Sequence, residues 1–273
     1  MNFKSLIRLI KLNISLVFNL QIHQFGNKIW ASKETYLKIF EKAKIKKHEE
    51  IDSFLNNYKF KIDLNWLDEL ALHTQVVIKP NPINYQHGKI IYSILANYLE
   101  KKINSESVTI LETGTSRGFS SIIMSRTLYD MNFNGKIYTI DIIPHSQKMI
   151  WNCIDDHEGL KTRKELLLPW KDFLENIIFL HGKSRKILKN LELERIHFAF
   201  LDAEHKLKDL EKEFNYVFKR QQKGDIIFFD DYTPGLFDEV VDFVDSIEKK
   251  NIYKVVRVKS SNLRGYAIAE KKF

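Results

Sequence analysis

From Val108 onward the chain alternates short, almost wholly apolar runs with helical segments, and this alternation restricts the possible folds more than any other feature. The runs are Val108 to Leu111, Ile137 to Ile140, Ile177 to Leu180, His197 to Leu201 and Ile226 to Phe229. Runs of this length without polar alternation suit strands covered on both faces, as in a parallel sheet flanked by helices. A last pair, Tyr253 to Val258 and Tyr266 to Ala269, is joined only by Lys259 and Ser-Ser-Asn-Leu-Arg-Gly. A connection that short permits an antiparallel hairpin and no crossover. The expectation is a Rossmann-like, doubly wound α/β sheet of seven mostly parallel strands with the last antiparallel.

Upstream, the pattern is helical. Ser32 to about Tyr58 reads as one charged helix with Tyr36, Phe40 and Ala43 at one spacing, and Leu64 to Leu72 as a second capped by Asp63. Lys79-Pro80-Asn81-Pro82 interrupts, since proline removes a donor and turns the preceding residue away from helix. The boundary is set there: a helical extension over 1–80 and a main domain over 81–273, entered through a helix from His87 to Lys101. The first 25 residues are apolar but carry Lys4, Arg8 and Lys11, and the uncharged stretch Leu12 to Phe25 is short for a bilayer crossing. No small-residue cleavage site follows it. An amphipathic helix remains, covering the main domain, forming a homodimer surface or lying peripherally on an anionic inner-membrane surface.

Composition excludes some classes. One cysteine, Cys153, permits no internal disulfide and no thiol metal cluster, which fits a reducing, cytoplasmic setting. The net charge of +8, from 43 basic and 35 acidic residues, suits an anionic partner. The lysines are dispersed and no arginine run is interleaved with aromatics, so nucleic acid is not the expected partner.

The sharpest local motif is Ile110-Leu111-Glu112-Thr113-Gly114-Thr115-Ser116-Arg117-Gly118-Phe119-Ser120, at a strand end and opening a helix. There, backbone amides and a helix N-terminus can approach a ligand, although a tight turn without a ligand would read the same. Its Gly-x-x-x-Gly spacing is not that of dinucleotide binders, which counts against an oxidoreductase. Glu112 can pair with the amino group of an amino-acid-like ligand, and Asp141, ending the second strand, stands where ribose hydroxyls are held. An amino acid and a ribose bound together point to S-adenosylmethionine. Asp202 and Glu204 follow the fourth strand, Asp230 and Asp231 the fifth, all at the ligand-binding edge. Such acids repel unless a cation neutralises them, and oxygen donors favour magnesium or a similar divalent ion. Capping of the following segments is the plainer alternative.

These residues together resemble the class I S-adenosylmethionine-dependent methyltransferases over Ile110 to about Ile247. Within them they resemble the metal-dependent O-methyltransferases related to the macrocin enzyme, methyltransferase family 24. The matching motifs are Glu-Thr-Gly-Thr-Ser-Arg-Gly, Phe-Leu-Asp-Ala-Glu-His and Lys-Gly-Asp-Ile-Ile-Phe-Phe-Asp-Asp-Tyr. The resemblance implies that Glu112, Gly114, Thr115 and Gly118 hold the methionine end of the cofactor, Asp141 the ribose, and Gly182 and Ser184 the adenine. It implies Asp202, Asp230 and Asp231 as metal ligands. Glu204 stands where relatives place an aspartate base, with His205 competing for that role. The implied reaction is methylation of a hydroxyl on a sugar, glycolipid, polysaccharide unit or natural product. A binding protein that retains the fold, and a related hydroxylase branch, are the alternatives. The long segment Ile143 to Glu175 departs from the pattern. It forms either a lid whose Trp151 and Trp170 stack on an acceptor, or an extra packed layer in which His145 and His157 lie at the surface.

Overall fold

The computed structural model describes residues 28–102, 107–202, 206–260 and 264–273. The amphipathic N-terminal segment, and both Glu204 and His205, lie outside these. Among the described residues no helix is long and apolar enough to cross a membrane.

A single sheet organises the chain. Its strands are β1 (Val108–Thr113), β2 (Gly135–Asp141), β3 (Ile177–His181), β4 (Phe198–Leu201), β5 (Ile226–Phe229), β6 (Tyr253–Lys259) and β7 (Gly265–Lys271). They lie in the order β3-β2-β1-β4-β5-β7-β6. The β1–β2, β1–β4, β2–β3 and β4–β5 pairings are parallel, whereas β7 runs antiparallel between β5 and β6. The doubly wound sheet with its reversed last strand is therefore present as expected.

Alternate residues of each run enter different cores, which is why the runs are continuously apolar. Ile110, Phe198, Phe200, Ile226 and Phe228 face one core, and Leu111, Ala199, Leu201, Ile227 and Phe229 the other. Helices Leu207–Phe218 and Asp238–Lys249 cover the second face with Leu210, Phe214, Val240, Phe243 and Val244. The first face is covered by helices His87–Glu100 and Phe119–Asp130 and, beyond them, by Tyr36, Phe40, Leu67 and Leu70 from upstream.

The helix expected over Ser32 to Tyr58 is two helices, Lys33–Lys44 and Glu49–Leu55. Continuing the stripe Tyr36, Phe40, Ala43 by three or four residues would place Lys46 or Lys47 against the core. Burying an unpaired ammonium costs more than a broken turn, so the chain re-enters the core with Ile51 and Leu55. The other helices start where expected: Asp63 accepts the Trp66 amide at 2.8 Å and caps Leu64–Thr74.

Candidate active site

At the end of β1 the chain turns through Gly114 (φ 94°), Ser116 (φ 48°) and Gly118 (φ 92°) into helix Phe119–Asp130. Gly118 takes the left-handed conformation that other residues adopt only with strain. Its amide donates to Thr115 O at 2.8 Å, and the Gly114 amide donates to Ile140 O at 2.9 Å. Beneath the turn Glu112 is fully buried, with Ser120 and Ser121 hydroxyls donating to its two carboxylate oxygens. Thr139 Oγ1 donates a third bond at 2.5 Å and is itself hydrogen-bonded to Thr115 Oγ1. Burial raises the Glu112 pKa while the hydroxyls pull it down. Placed so, Glu112 fixes the turn from below and does not line the adjoining cavity.

Asp141 ends β2 beside this turn. Its Oδ2 accepts the Ser116 amide at 2.5 Å and its Oδ1 the Ile143 amide at 2.7 Å. A carboxylate has about four acceptor positions, so capacity for a ribose remains. Arg163 lies 3.7 Å from Asp141 Oδ2 and is 1% exposed, and its Nε donates to Ser116 O at 2.8 Å. The Gly182 amide donates to Asp141 O at 2.8 Å, and Ser184 opens the short helix Ser184–Ile187. Asp141, Gly182 and Ser184 thus stand on adjacent strand ends.

Of the two readings of Ile143 to Glu175, the structure gives the packed layer. Trp151 joins Ile143, Met149, Cys153 and Leu166 in a small core, and Trp170 enters the main one; neither ring is open to an acceptor. Trp151 O accepts from Arg117 Nε at 2.6 Å, and Trp151 Nε1 donates to Lys161 O at 2.7 Å. His145 bonds to Arg163 and His157 to Ala31 O, both half-buried. Burial pushes the Cys153 thiol up to about 12, so it is inert. The segment is bolted to the glycine turn by two arginines, Arg117 and Arg163.

Across the cavity stand the acids. Asp202 follows β4, Asp230 and Asp231 follow β5, and one carboxylate oxygen from each lies within 4.8 Å of the others. Arg264, immediately before β7, reaches into this cluster. Its Nη2 pairs with Asp230 Oδ2, and its Nε lies 3.2 Å from Asp230 Oδ1 and 3.1 Å from Asp231 Oδ1. Burial and the other two acids raise Asp202 well above the carboxylate range, and burial with Asp230 pushes Asp231 up to about 7. For Asp230 burial acts upward, yet Arg264 and His87 hold it below its ordinary value.

A cavity of about 320 Å³ reaches the glycine turn, Asp202 and Arg264, while Asp141, Gly182, Ser184, Asp230 and Asp231 do not line it. Its lining includes Gly114, Thr115, Ser116 and Ser120, with Asp202, Arg264, Lys79 and His87. The His87 ring, 4% exposed, stacks near Phe200 and meets Phe119 edge-on. Burial lowers its pKa to about 4, and its Nδ1 is buried with no hydrogen-bond partner among the described residues. Sequence reasoning missed Arg264, Arg163 and His87. Arg264 was visible only as the one cation in a hairpin connection, and His87 only as a helix start.

A divalent ion tests poorly against this arrangement. The donor chemistry of three carboxylates suits one, but Asp230 and Asp231 are already engaged by a guanidinium. As arranged, the site does not fit the ion.

Residues 111–232 match the family model described as a methyltransferase domain, of the family 24 type. No curated protein matches the sequence. Among solved structures, the O-methyltransferase TomG from Streptomyces achromogenes, in complex with SAM, is 16% identical; the match covers 82% of this chain and 96% of that one, with a TM-score of 0.55. The O-methyltransferase NovP is 13% identical, covering 89% of this chain and 100% of that one, at a TM-score of 0.53. An O-methyltransferase from Bacillus cereus in complex with SAH is 17% identical over 88% of this chain and 100% of that one, at a TM-score of 0.50. At these identities the likeness establishes a shared fold.

Proposed function

We propose that this chain is a class I methyltransferase that carries the methyl group of S-adenosylmethionine to a hydroxyl oxygen of a small acceptor. The observation that carries this reading is the cavity lined by the glycine turn together with Asp202 and Arg264, the guanidinium that pairs with Asp230 and Asp231. A sulfonium methyl held by the turn would face an oxygen held by the acids, and such positioning supplies much of the rate in a bimolecular transfer.

In this reading the start of helix Phe119–Asp130 takes the methionine carboxylate beside the Gly114–Gly118 turn, with Glu112 stiffening the turn from beneath. Asp141 takes the ribose hydroxyls, and Gly182 and Ser184 flank the adenine. The acceptor oxygen forms its bond to the methyl carbon as the carbon–sulfur bond breaks, the electron pair staying on sulfur. The hydroxyl proton passes to a carboxylate or imidazole of the Asp202–His205 segment. Magnesium, the finer expectation from the sequence, would be held by Asp202, Asp230 and Asp231 only if the last two left Arg264. The acceptor is proposed to be a sugar, glycolipid, polysaccharide unit or natural product.

Isothermal titration of S-adenosylmethionine and S-adenosylhomocysteine into the protein tests the cofactor assignment. Micromolar binding that Asp141→Asn weakens at least tenfold, about 1.4 kcal/mol, is the expected result. No heat with either ligand would overturn the reading.

A further inference from the structure

We infer that Arg264 holds the place a divalent ion would take at the Asp202, Asp230 and Asp231 cluster, so that the acids beside the cavity are neutralised by the chain's own guanidinium. The inference rests on the methyltransferase reading only for what the charge is used for; the charge arrangement stands on geometry.

Four observations carry it. The Arg264 guanidinium engages Asp230 through both Nη2 and Nε and reaches Asp231 through Nε, the two-pronged pairing in which arginine is strongest. Its backbone is fixed as well. The Ser260 amide donates to Arg264 O at 2.8 Å, and the Gly265 amide donates to Thr233 Oγ1 at 2.9 Å. A Cβ on Gly265 would meet Tyr232 O at 2.0 Å, so only glycine lets the hairpin press against the residues that follow β5. Asn84 Nδ2, three residues before His87, donates to Ser260 Oγ at 2.8 Å and ties the cavity's far wall to the same hairpin. Finally, Arg264 itself lines the cavity together with Asp202, which puts the residue at the space the acceptor would enter.

The energetics favour the guanidinium. Removing a buried arginine from its carboxylates strands an ion that costs several kcal/mol to leave unpaired, whereas an incoming dication must also shed its own water. With Arg264 in place, an acceptor oxygen that becomes negative as it loses its proton meets N–H donors, which stabilise that charge without a metal. Arg264 is thus a positioning residue for the acids and a donor toward the acceptor.

The probe is Mn²⁺ alone, followed by its electron paramagnetic resonance signal in titrations of the full chain. Wild type is expected to take up none at the cluster, and Arg264→Ala to take up one equivalent, lost again in Arg264→Ala/Asp230→Asn. Arg264→Lys, which keeps a cation there, is expected to stay empty. Uptake of one equivalent by wild type that Asp230→Asn abolishes would overturn the inference. So would an Arg264→Ala protein that is folded by circular dichroism and still takes up none. If Arg264→Ala does not fold, the wild-type titration and the lysine variant decide alone. The wild-type protein is titrated with S-adenosylmethionine in parallel: loss of that binding with no Mn²⁺ uptake fails the methyltransferase reading and leaves the Arg264 arrangement standing.

Discussion

A methyl group added at Gly265 would press on the backbone carbonyl of Tyr232, which no side-chain rotation can relieve. Gly265→Ala is therefore expected to lower stability by about 1–3 kcal/mol, the usual cost of overpacking, measured by denaturant unfolding. Its second effect is to shift Arg264 off Asp230, so the variant should gain some of the Mn²⁺ affinity of Arg264→Ala. A different residue sets part of the response to acid. His48 is 3% exposed, and burial lowers its pKa to about 4. Between about 6.5 and 4 the unfolded chain then binds a proton there that the folded chain does not, so stability falls as the pH falls through that window. His48→Gln is expected to flatten the fall, seen as a shallower dependence of unfolding free energy on pH. At this scale the acids were legible because strand ends announce themselves: Asp141, Asp202, Asp230 and Asp231 all stand at the predicted edge. Arg264, which neutralises them, was not, because its partners lie more than 30 residues away across a hairpin and periodicity carries no information about such pairs.

Between elements, the segment from Ile143 to Glu175 acts as a brace for the glycine turn. Arg163 binds Ser116 O and Asp141 from it, while Arg117 reaches back to Trp151 O. Removing one partner of a buried ion pair costs on the order of 3 kcal/mol. Arg163→Ala is accordingly expected to lower the melting temperature and to weaken S-adenosylmethionine binding, with both readouts moving together; affinity unchanged in a destabilised protein would separate the brace from the cofactor site. The strands were legible to within a few residues because a sheet buried on both faces writes itself as unbroken apolar runs. The break at Ile45 to His48 was not, since a charged stretch reads as a solvated helix face until the neighbouring core shows which side is buried.

Over the whole molecule the two cores share one sheet, and each strand residue supports the layer its side chain faces. Phe228, fully buried between Phe200 and Tyr266, is expected to cost about 3–5 kcal/mol when replaced by alanine; chemical denaturation checks it. The strand order also dictates a timetable for a chain growing from its N-terminus. β1 waits 88 residues for its inner partner, since Ile110 lies beside Phe198, and β6 is synthesised before β7 although β7 is its neighbour in the sheet. While the ribosome is still making β7, β6 has nothing to pair with and the outer edge of β5 lies open. Long-range pairing of this kind is slow and leaves strand edges exposed. The antiparallel strand that follows Arg264 is thus also the one that closes the sheet, and the cavity lined by Asp202 and Arg264 is completed only when synthesis reaches it.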